Sequence, residues 1–232
     1  MTICFVDYKS TECEINNLKK LNLDVIKVPK CSKVYSSIDG HPDIQIHITY
    51  DKKIIIQKDI EKSFLKELEK RNLDYILTSK SLENKYPNNI MLNGLSTKNF
   101  FIHNLKFTSK ELLESENHKT LINIKQGYTK CSCAFLGNNI VITSDKGIYN
   151  KLTEKNSDVL LLPPGDISLP GLNYGFIGGC CGLLPNNKIA FFGSLEKYLY
   201  GKEVLNFLNK YDLEPIYLSD GHLIDRGSIL VY

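Results

Sequence analysis

The chain has 232 residues, of which 42% are hydrophobic and 24% charged, with a formal net charge of +3. This composition is typical of one compact globular body, and charges of both signs alternate in segments such as LKELEKR, so no basic stripe for nucleic acid is present. The apolar runs are too short to span a bilayer, Met1 leads directly into a predicted strand, and an odd cysteine count fits a reducing compartment. We therefore expect a cytoplasmic protein with neither membrane nor nucleic-acid partners.

The predicted elements repeat one pattern of two strands, a helix and a third strand (ββαβ). In residues 43–80 the pattern predicts strands at DIQIHIT and KIIIQ, an amphipathic helix at IEKSFLKELEKRNL and a third strand at DYILTS. Copies follow at 90–127, 131–165 and 176–219. The fifth copy is divided between the termini, because HLIDRGSILVY within 222–232 supplies the first strand and 3–29 the rest.

A repeat of roughly 45 residues that uses up the chain is typical of radial or stacked repeat folds. A copy divided between the termini closes such a ring by pairing the N- and C-terminal strands. The sequence thus predicts one α/β domain over 1–232, a five-bladed α/β propeller with the first strand of each unit nearest the axis. The Asn-rich segments LGNN and LPNN, which occupy equivalent places in two units, support the repeat as tight hairpin turns.

Polar residues concentrate in segments predicted to enter the axis, where a packed propeller would carry aliphatic side chains. The densest group is DGHPDIQIH, which contains His41, Asp43, Gln45 and His47. A strand that began at Asp43 would place Asp43, Gln45 and His47 on one face. We expect a functional role for Asp43 and solvent exposure for His47. The alternative for His41 and Asp43 is that they satisfy the backbone of a turn.

The segment KQGYTKCSC places Lys130 beside Cys131 at the predicted start of an inner strand. A neighbouring ammonium lowers a thiol's pKa, and the thiolate is the nucleophile, so Cys131 is the first choice for a reactive thiol. The alternative is a buried thiol that acts as a small hydrophobe, which is what we expect of Cys133. The cysteine spacings do not match structural zinc, so no metal ligands are predicted and a metal is a minor hypothesis; no cofactor is predicted.

Two further segments contribute candidates for binding. YGFIGGCCG contains glycines inside a predicted strand, which close approach of a ligand or of neighbouring strands would explain, with a bulge as the alternative. Asp225 is predicted in mid-strand and facing the axis, where a buried carboxylate needs a cationic or hydrogen-bonding partner. The residues predicted to bind substrate are Asp225, Asn93, Lys130, Gln45, Gly178 and Gly179.

Five ββαβ units closed by the termini resemble the pentein, or guanidino-group-modifying-enzyme (GME), fold. The stretches DGHPDIQ, QGYTKCS, GFIGG and LIDRGSIL resemble an uncharacterised bacterial family with that fold. Penteins include arginine deiminases, amidinotransferases, dimethylargininases and a non-catalytic ribosome-binding factor. The resemblance implies a nucleophilic cysteine at the start of the closing strand, a histidine from a middle unit and acidic residues that hold a guanidinium. This closing strand has no cysteine, and His103 lacks the histidine-arginine context of those enzymes.

The leading hypothesis is a hydrolase or amidinotransferase-like enzyme acting on a small cationic ligand that contains a guanidine or amine. In it Cys131 is the nucleophile, His41 the general base, and Asp43 and Asp225 hold the ligand. The competing hypothesis is a non-catalytic pentein that binds a small molecule or another protein.

Overall fold

The structure, a computed structural model, describes residues 2–232 and contains five three-stranded sheets. In each sheet the first strand of a unit pairs antiparallel with the second, and the second pairs parallel with the third. Within the described residues, the ladders do not continue from one sheet to the next. The predicted five-unit α/β propeller is confirmed, with each blade a separate sheet.

The strands are β1 Thr2–Asp7, β2 Leu23–Val28, β3 Ile46–Ile48, β4 Ile54–Ile56, β5 Tyr75–Leu77, β6 Leu95–Ser96, β7 Phe100–His103, β8 Thr120–Asn123, β9 Cys133–Phe135, β10 Ile140–Thr143, β11 Asp158–Leu161, β12 Cys181–Leu184, β13 Lys188–Phe191, β14 Glu214–Tyr217 and β15 Leu230–Val231. The helices are α1 Glu12–Lys20, α2 Pro42–Gln45, α3 Lys62–Glu69, α4 Lys110–Glu116, α5 Lys146–Thr153 and α6 Gly201–Asn209.

The divided unit joins the two ends of the chain. β15 pairs antiparallel with β1, so that Cys4 lies opposite Val231 and Phe5 opposite Leu230. β1 then runs parallel to β2 after α1. The first strands of the five units are thus β15, β3, β6, β9 and β12.

Local sequence signals explain why the units repeat. α1 is preceded by a capping box between Thr11 and Glu14, and the N-cap of α5 is Asp145, whose side chain accepts from a backbone N–H of the first turn. Three helices bury a pair of apolar side chains one turn apart: Phe64 and Leu68, Ile148 and Leu152, and Val204 and Leu208. Four helices are followed by a residue with positive φ, which ends them in a left-handed cap: Asn22, Asn72, Asn156 and Asp212.

The Asn-rich hairpins are confirmed. Asn138 and Asn139 have φ of 44° and 64°, and Asn186 and Asn187 have φ of 60° and 55°. Two successive residues with positive φ match the twist of an antiparallel pair, which is why these turns join β9 to β10 and β12 to β13 so tightly.

The segments that lead into the inner strands differ from prediction. Pro42–Gln45 is a helical turn, because Pro42 occupies its first position and accepts a hydrogen bond from the Ile46 N–H, and the strand starts only at Ile46. Ile177–Cys180 is a 3-10 helix, where a strand was predicted. Asp225 lies in an irregular segment before β15, not in mid-strand. Because residues 42–45 are helical, Asp43, Gln45 and His47 do not alternate along one strand, and their predicted shared face is wrong.

Candidate active site

A cavity of about 510 Å³ runs along the axis, within the range of small-molecule sites. All five units line it, since its walls include Ile46, Leu95, Phe135, Gly182 and Leu230. Its outer part is formed by residues at the ends of the inner strands. Three charged side chains line it: Lys52, from the turn between β3 and β4, and Asp43 and Lys130, from the segments that enter the inner strands. The part lined by Asp43 and Lys130 is its inner end.

Cys131, His41 and Asp225 do not themselves line the cavity; Cys131 reaches it through Asp43, which lies 3.0 Å from its thiol, and is held by Asn93. The side-chain Oδ1 of Asn93 accepts from the Cys131 N–H at 3.2 Å and from the Lys130 N–H at 2.9 Å. Its amide nitrogen donates to the Asp43 backbone carbonyl at 3.0 Å and lies 3.2 Å from the Cys131 Sγ. Asn93 is fully buried, and all its polar atoms are satisfied by the protein. It therefore fixes the thiol relative to Asp43, and its predicted contact with substrate stays a prediction.

Asp43 connects the thiol to the C-terminal segment. Its Oδ2 accepts from the Cys131 thiol at 3.0 Å and lies 2.7 Å from the Ser228 Oγ. The same Ser228 oxygen lies 2.7 Å from the Gly178 carbonyl and accepts from the Lys130 Nζ at 3.1 Å. Because a hydroxyl has one proton, Ser228 can donate to only one of its two acceptors at a time. The other carboxylate oxygen of Asp43 is buried without a hydrogen-bond partner.

His41 and Asp225 complete the cluster. A nitrogen of His41, an oxygen of Asp43 and the Cys131 Sγ all lie within 4.8 Å of one another. The His41 Nδ1 is 3.9 Å from the Asp225 Oδ1, too far for a hydrogen bond, and has no other partner. Asp225 instead accepts from the N–H groups of Phe176 and Gly227, both at 2.9 Å.

Burial dominates the electrostatics of the cluster. It lowers the pKa of His41 to about 3, so the imidazole is neutral at neutral pH. Burial, and then the charge of Asp43, raises the pKa of Asp225 to about 7. Burial also raises the pKa of Asp43, against the opposing effects of Lys130 and Ser228.

The predicted activation of Cys131 by its neighbour in sequence is wrong for this structure. Burial, followed by the charges of Asp43 and Asp225, raises the pKa of the Cys131 thiol well above its usual range. The Lys130 ammonium contacts Ser228 instead of the thiol. The thiol is therefore protonated at neutral pH, and a further positive charge beside it would favour the thiolate.

Gly178 and Gly179 leave room for the protein itself. A Cβ on Gly178 would lie 2.3 Å from the Cys133 carbonyl oxygen, and one on Gly179 would lie 2.0 Å from the Asp225 Oδ1. Neither glycine is among the residues that line the axial cavity. The close approach of neighbouring protein groups explains why both positions are glycine. Their predicted contact with a ligand stays a prediction.

Three other residues considered from sequence have structural partners. Gln45 donates to the Pro29 carbonyl at 2.7 Å and the Asp39 carbonyl at 3.1 Å, and it does not line the cavity. His47 was expected to face solvent but is buried, with its Nδ1 3.0 Å from the Leu92 carbonyl oxygen. His103 contacts Thr108 at 2.7 Å and the Gly127 carbonyl at 2.9 Å. Cys133 is fully buried in an apolar cluster, as expected.

Ser228 is the residue of the cluster to which the sequence assigned no role. One feature of the sequence could have identified it: Ser228 follows Gly227 shortly before the closing strand, in the same short segment as Asp225. Its φ of 71° is uncommon for a residue with a side chain. The fold holds it in this conformation, with its hydroxyl between Asp43 and Lys130.

The fold is that of the penteins, and solved structures with this fold match at low sequence identity. They include SxtG, an amidinotransferase from Microseira wollei in the saxitoxin biosynthetic pathway (TM-score 0.56, 10% identity, 93% of this chain and 87% of that chain). DDAH from Pseudomonas aeruginosa, a cysteine-to-serine mutant complexed with citrulline, matches with TM-score 0.54, 10% identity and coverages of 93% and 90%. A cysteine-to-serine variant of C. jejuni agmatine deiminase with substrate bound matches with TM-score 0.54, 11% identity and coverages of 99% and 92%.

At the level of sequence, residues 5–230 match the model of the Family of unknown function (DUF6873), and the chain belongs to that family. No curated protein matches the sequence. The structural neighbours are guanidino-modifying enzymes, and at these identities the likeness shows the fold alone. Within residues 2–232, none of the helices has both the length and the apolar character needed to cross a bilayer.

Proposed function

We propose that this protein binds a small molecule bearing a guanidinium or amidinium group at the inner end of the axial cavity and modifies it through Cys131. The observation that supports this most is the arrangement of three groups there. The Cys131 thiol is 3.0 Å from Asp43, and a His41 nitrogen lies within 4.8 Å of the thiol. A nucleophile, a proton acceptor and a carboxylate thus lie beside a cavity of suitable size.

The charges of the site favour a cationic ligand. Asp43 and Asp225 are both buried, and the Lys130 ammonium is the cation that contacts the cluster from the described part of the chain. Two carboxyl groups therefore face one ammonium, and ionising both leaves a buried negative charge without a partner, which is unfavourable and raises their pKa values. A planar cation that contacts both the thiol and Asp43 from the side of the cavity would supply the missing positive charge. It would also lower the pKa of the Cys131 thiol, which burial has raised.

The chemistry then follows from the groups present. The Cys131 sulfur attacks the central carbon of the guanidinium, a carbon–sulfur bond forms, and one carbon–nitrogen bond breaks. The thiol proton moves through neutral His41 to the departing amine. Water or a second amine then attacks the same carbon, which returns the thiol and releases a urea or a new guanidine. Water gives a hydrolase, and an amine gives an amidinotransferase.

The test is the rate at which thiols react with chloroacetamidine, a cationic label, relative to chloroacetamide, its neutral analogue. Cys13 is exposed and serves as a reference in the same chain, whereas Cys131 is buried. After removal of metals, we expect the ratio of the two rates to be at least ~10-fold higher at Cys131 than at Cys13, a difference of about 1.4 kcal/mol. Peptide mapping with Cys131→Ser alongside assigns the site. Equal ratios at the two cysteines would contradict the proposal.

Asp225→Asn removes one negative charge and keeps the shape of the side chain. We expect it to lower the amidine preference of Cys131. Asp7→Asn is the matched control, since Asp7 is a buried carboxylate in β1 that accepts from the Lys9 N–H outside the cluster. If both variants change the preference equally, the effect is not local to the site and the role of Asp225 is wrong.

The second candidate is a pentein that binds the same cation without modifying it. The observation in its favour is that the Cys131 thiol already donates to Asp43 and has a raised pKa. In this case a guanidine ligand raises the melting temperature of the protein, and incubation leaves the ligand unchanged by mass. If wild type releases an amine or a urea from the ligand and Cys131→Ser does not, this candidate is excluded.

A further inference from the structure

We propose that His41, Asp43 and Cys131 form a binding site for one zinc-class divalent cation at the inner end of the axial cavity. The three residues come from two units that are far apart in sequence, and each offers a donor atom within 4.8 Å of the other two. This inference does not rest on the proposed function, because the site would bind the ion whether or not the thiol is catalytic.

Two unpartnered atoms point to a missing ligand. The Nδ1 of His41 and the Oδ1 of Asp43 have no hydrogen-bond partner, although the two residues are only 2% and 1% exposed. Buried polar atoms are paired in the great majority of cases, so two orphaned atoms in one cluster need an explanation. A cation bound by one nitrogen of His41 and one oxygen of Asp43 would give both residues a partner.

The donor set and its dimensions fit zinc. Thiolate, imidazole and carboxylate are the three ligand types that zinc takes, whereas calcium and magnesium take oxygen. In a tetrahedral site, Zn–S near 2.3 Å and Zn–N or Zn–O near 2.0–2.1 Å place donor atoms about 3.3–3.6 Å apart. Cys131 and Asp43 already lie 3.0 Å apart, and no pair exceeds 4.8 Å. Side-chain movements of about 1 Å would bring the three donor atoms to the spacing of a tetrahedral zinc site.

Three protein ligands leave the fourth position open. Of the three ligands, Asp43 lines the axial cavity, so water or a small ligand could reach the ion from that side, as in catalytic rather than structural zinc sites. On binding, the ion exchanges its waters for the three donors. The Cys131 thiol proton, now held between sulfur and Asp43, is released to solvent.

Cobalt(II) is the probe, because its visible bands report coordination number and a near-ultraviolet band reports a thiolate ligand. Chelator-treated wild type titrated with Co²⁺ should bind one equivalent with both signals, and Zn²⁺ should displace it. Cys131→Ser should lose the thiolate band. Asp43→Asn and His41→Gln should weaken binding ~100-fold or more, since even outer-shell changes cost 10–100-fold. Cys133→Ser is the matched control, a buried thiol two positions away that lies in an apolar cluster and should leave the titration unchanged.

The proposal is overturned if wild type shows no thiolate band, or if the band survives in Cys131→Ser. If the variants do not fold, alkylation of wild type decides. Zn²⁺ should protect Cys131 and leave the exposed Cys13 unprotected. Equal labelling of Cys131 with and without Zn²⁺ overturns the site. None of these measurements uses a guanidine, and the amidine test uses metal-free protein, so either proposal can fail alone.

Discussion

Replacement of Asn93 by alanine is the perturbation whose consequence follows most directly from the structure. Its side chain holds the Cys131 N–H at 3.2 Å and the Asp43 carbonyl at 3.0 Å. The Lys130 N–H also binds the Asn93 backbone carbonyl at 2.9 Å, so it keeps a partner after the change. Asn93→Ala therefore leaves two buried backbone groups without the partners that Asn93 provides.

The expected loss can be worked from those two groups. Each buried backbone group left without a partner destabilises the folded state by about 1–3 kcal/mol, which gives about 2–6 kcal/mol for both. Entry of water into the space left by the amide would reduce the loss. We expect a decrease of about 3 kcal/mol in the free energy of unfolding, a large fraction of the total for most domains.

Urea denaturation of wild type, Asn93→Ala and Asn88→Ala measures this loss. Asn88 is an exposed asparagine whose amide donates to Glu83 at 2.9 Å, so its replacement should change the free energy of unfolding by less than about 0.5 kcal/mol. A loss below about 1 kcal/mol for Asn93→Ala, at unchanged slope, would mean that this side chain does not hold the cluster together. The cluster would then lack the rigidity that both proposals assume.

Three further predictions concern groups around the site. Gly179→Ala should destabilise the fold by about 1–3 kcal/mol, because its Cβ would lie 2.0 Å from Asp225. Gly221→Ala is the control, since a Cβ there meets nothing within 4 Å. Equal losses of stability in urea denaturation would refute this prediction. Burial lowers the pKa of His103 to about 4, so as the pH falls from 7 to 5 this histidine gains a proton in the unfolded chain but not in the folded protein. The free energy of unfolding should therefore fall by about 2 kcal/mol over this range. The stability of His103→Asn should depend less steeply on pH by that amount, and parallel curves would contradict the assignment. Ser228→Ala should destabilise by about 1–3 kcal/mol, whereas Ser132→Ala, which removes a buried hydroxyl without a partner, should be neutral or stabilising by the same assay.

The fold was predictable because its signals are local. The recurring pattern of two strands, a helix and a third strand identified the five units, with the Asn-Asn turns in support. The structure adds two further local signals, the paired apolar positions one turn apart and the Asn residues at helix ends. The error at Asp43 has the same origin. Alternation suggested a strand, but Pro42 favours the first position of a helix and so shifted the start of β3 to Ile46.

The candidate site was only partly predictable, because its geometry depends on contacts between distant segments. His41, Asp43 and Cys131 stood out by residue type, and the fold brings them together. The role of Ser228 depends on a contact with Asp43 across 185 positions, which a single sequence does not reveal. Likewise, Lys130 is next to Cys131 in sequence, but successive side chains point in different directions, and its ammonium meets Ser228.

Both proposals place a cation at the same charge imbalance, since buried carboxylates outnumber the ammonium that contacts them. A guanidinium and a metal ion would each correct it, and both would need the Cys131 sulfur and the Asp43 carboxylate. They must therefore compete, and saturating Zn²⁺ should abolish the amidine preference of Cys131 while leaving Cys13 unaffected. Retention of that preference in the zinc-loaded protein would place the two cations at different points on the axis. The metal site would then be independent of the thiol's chemistry.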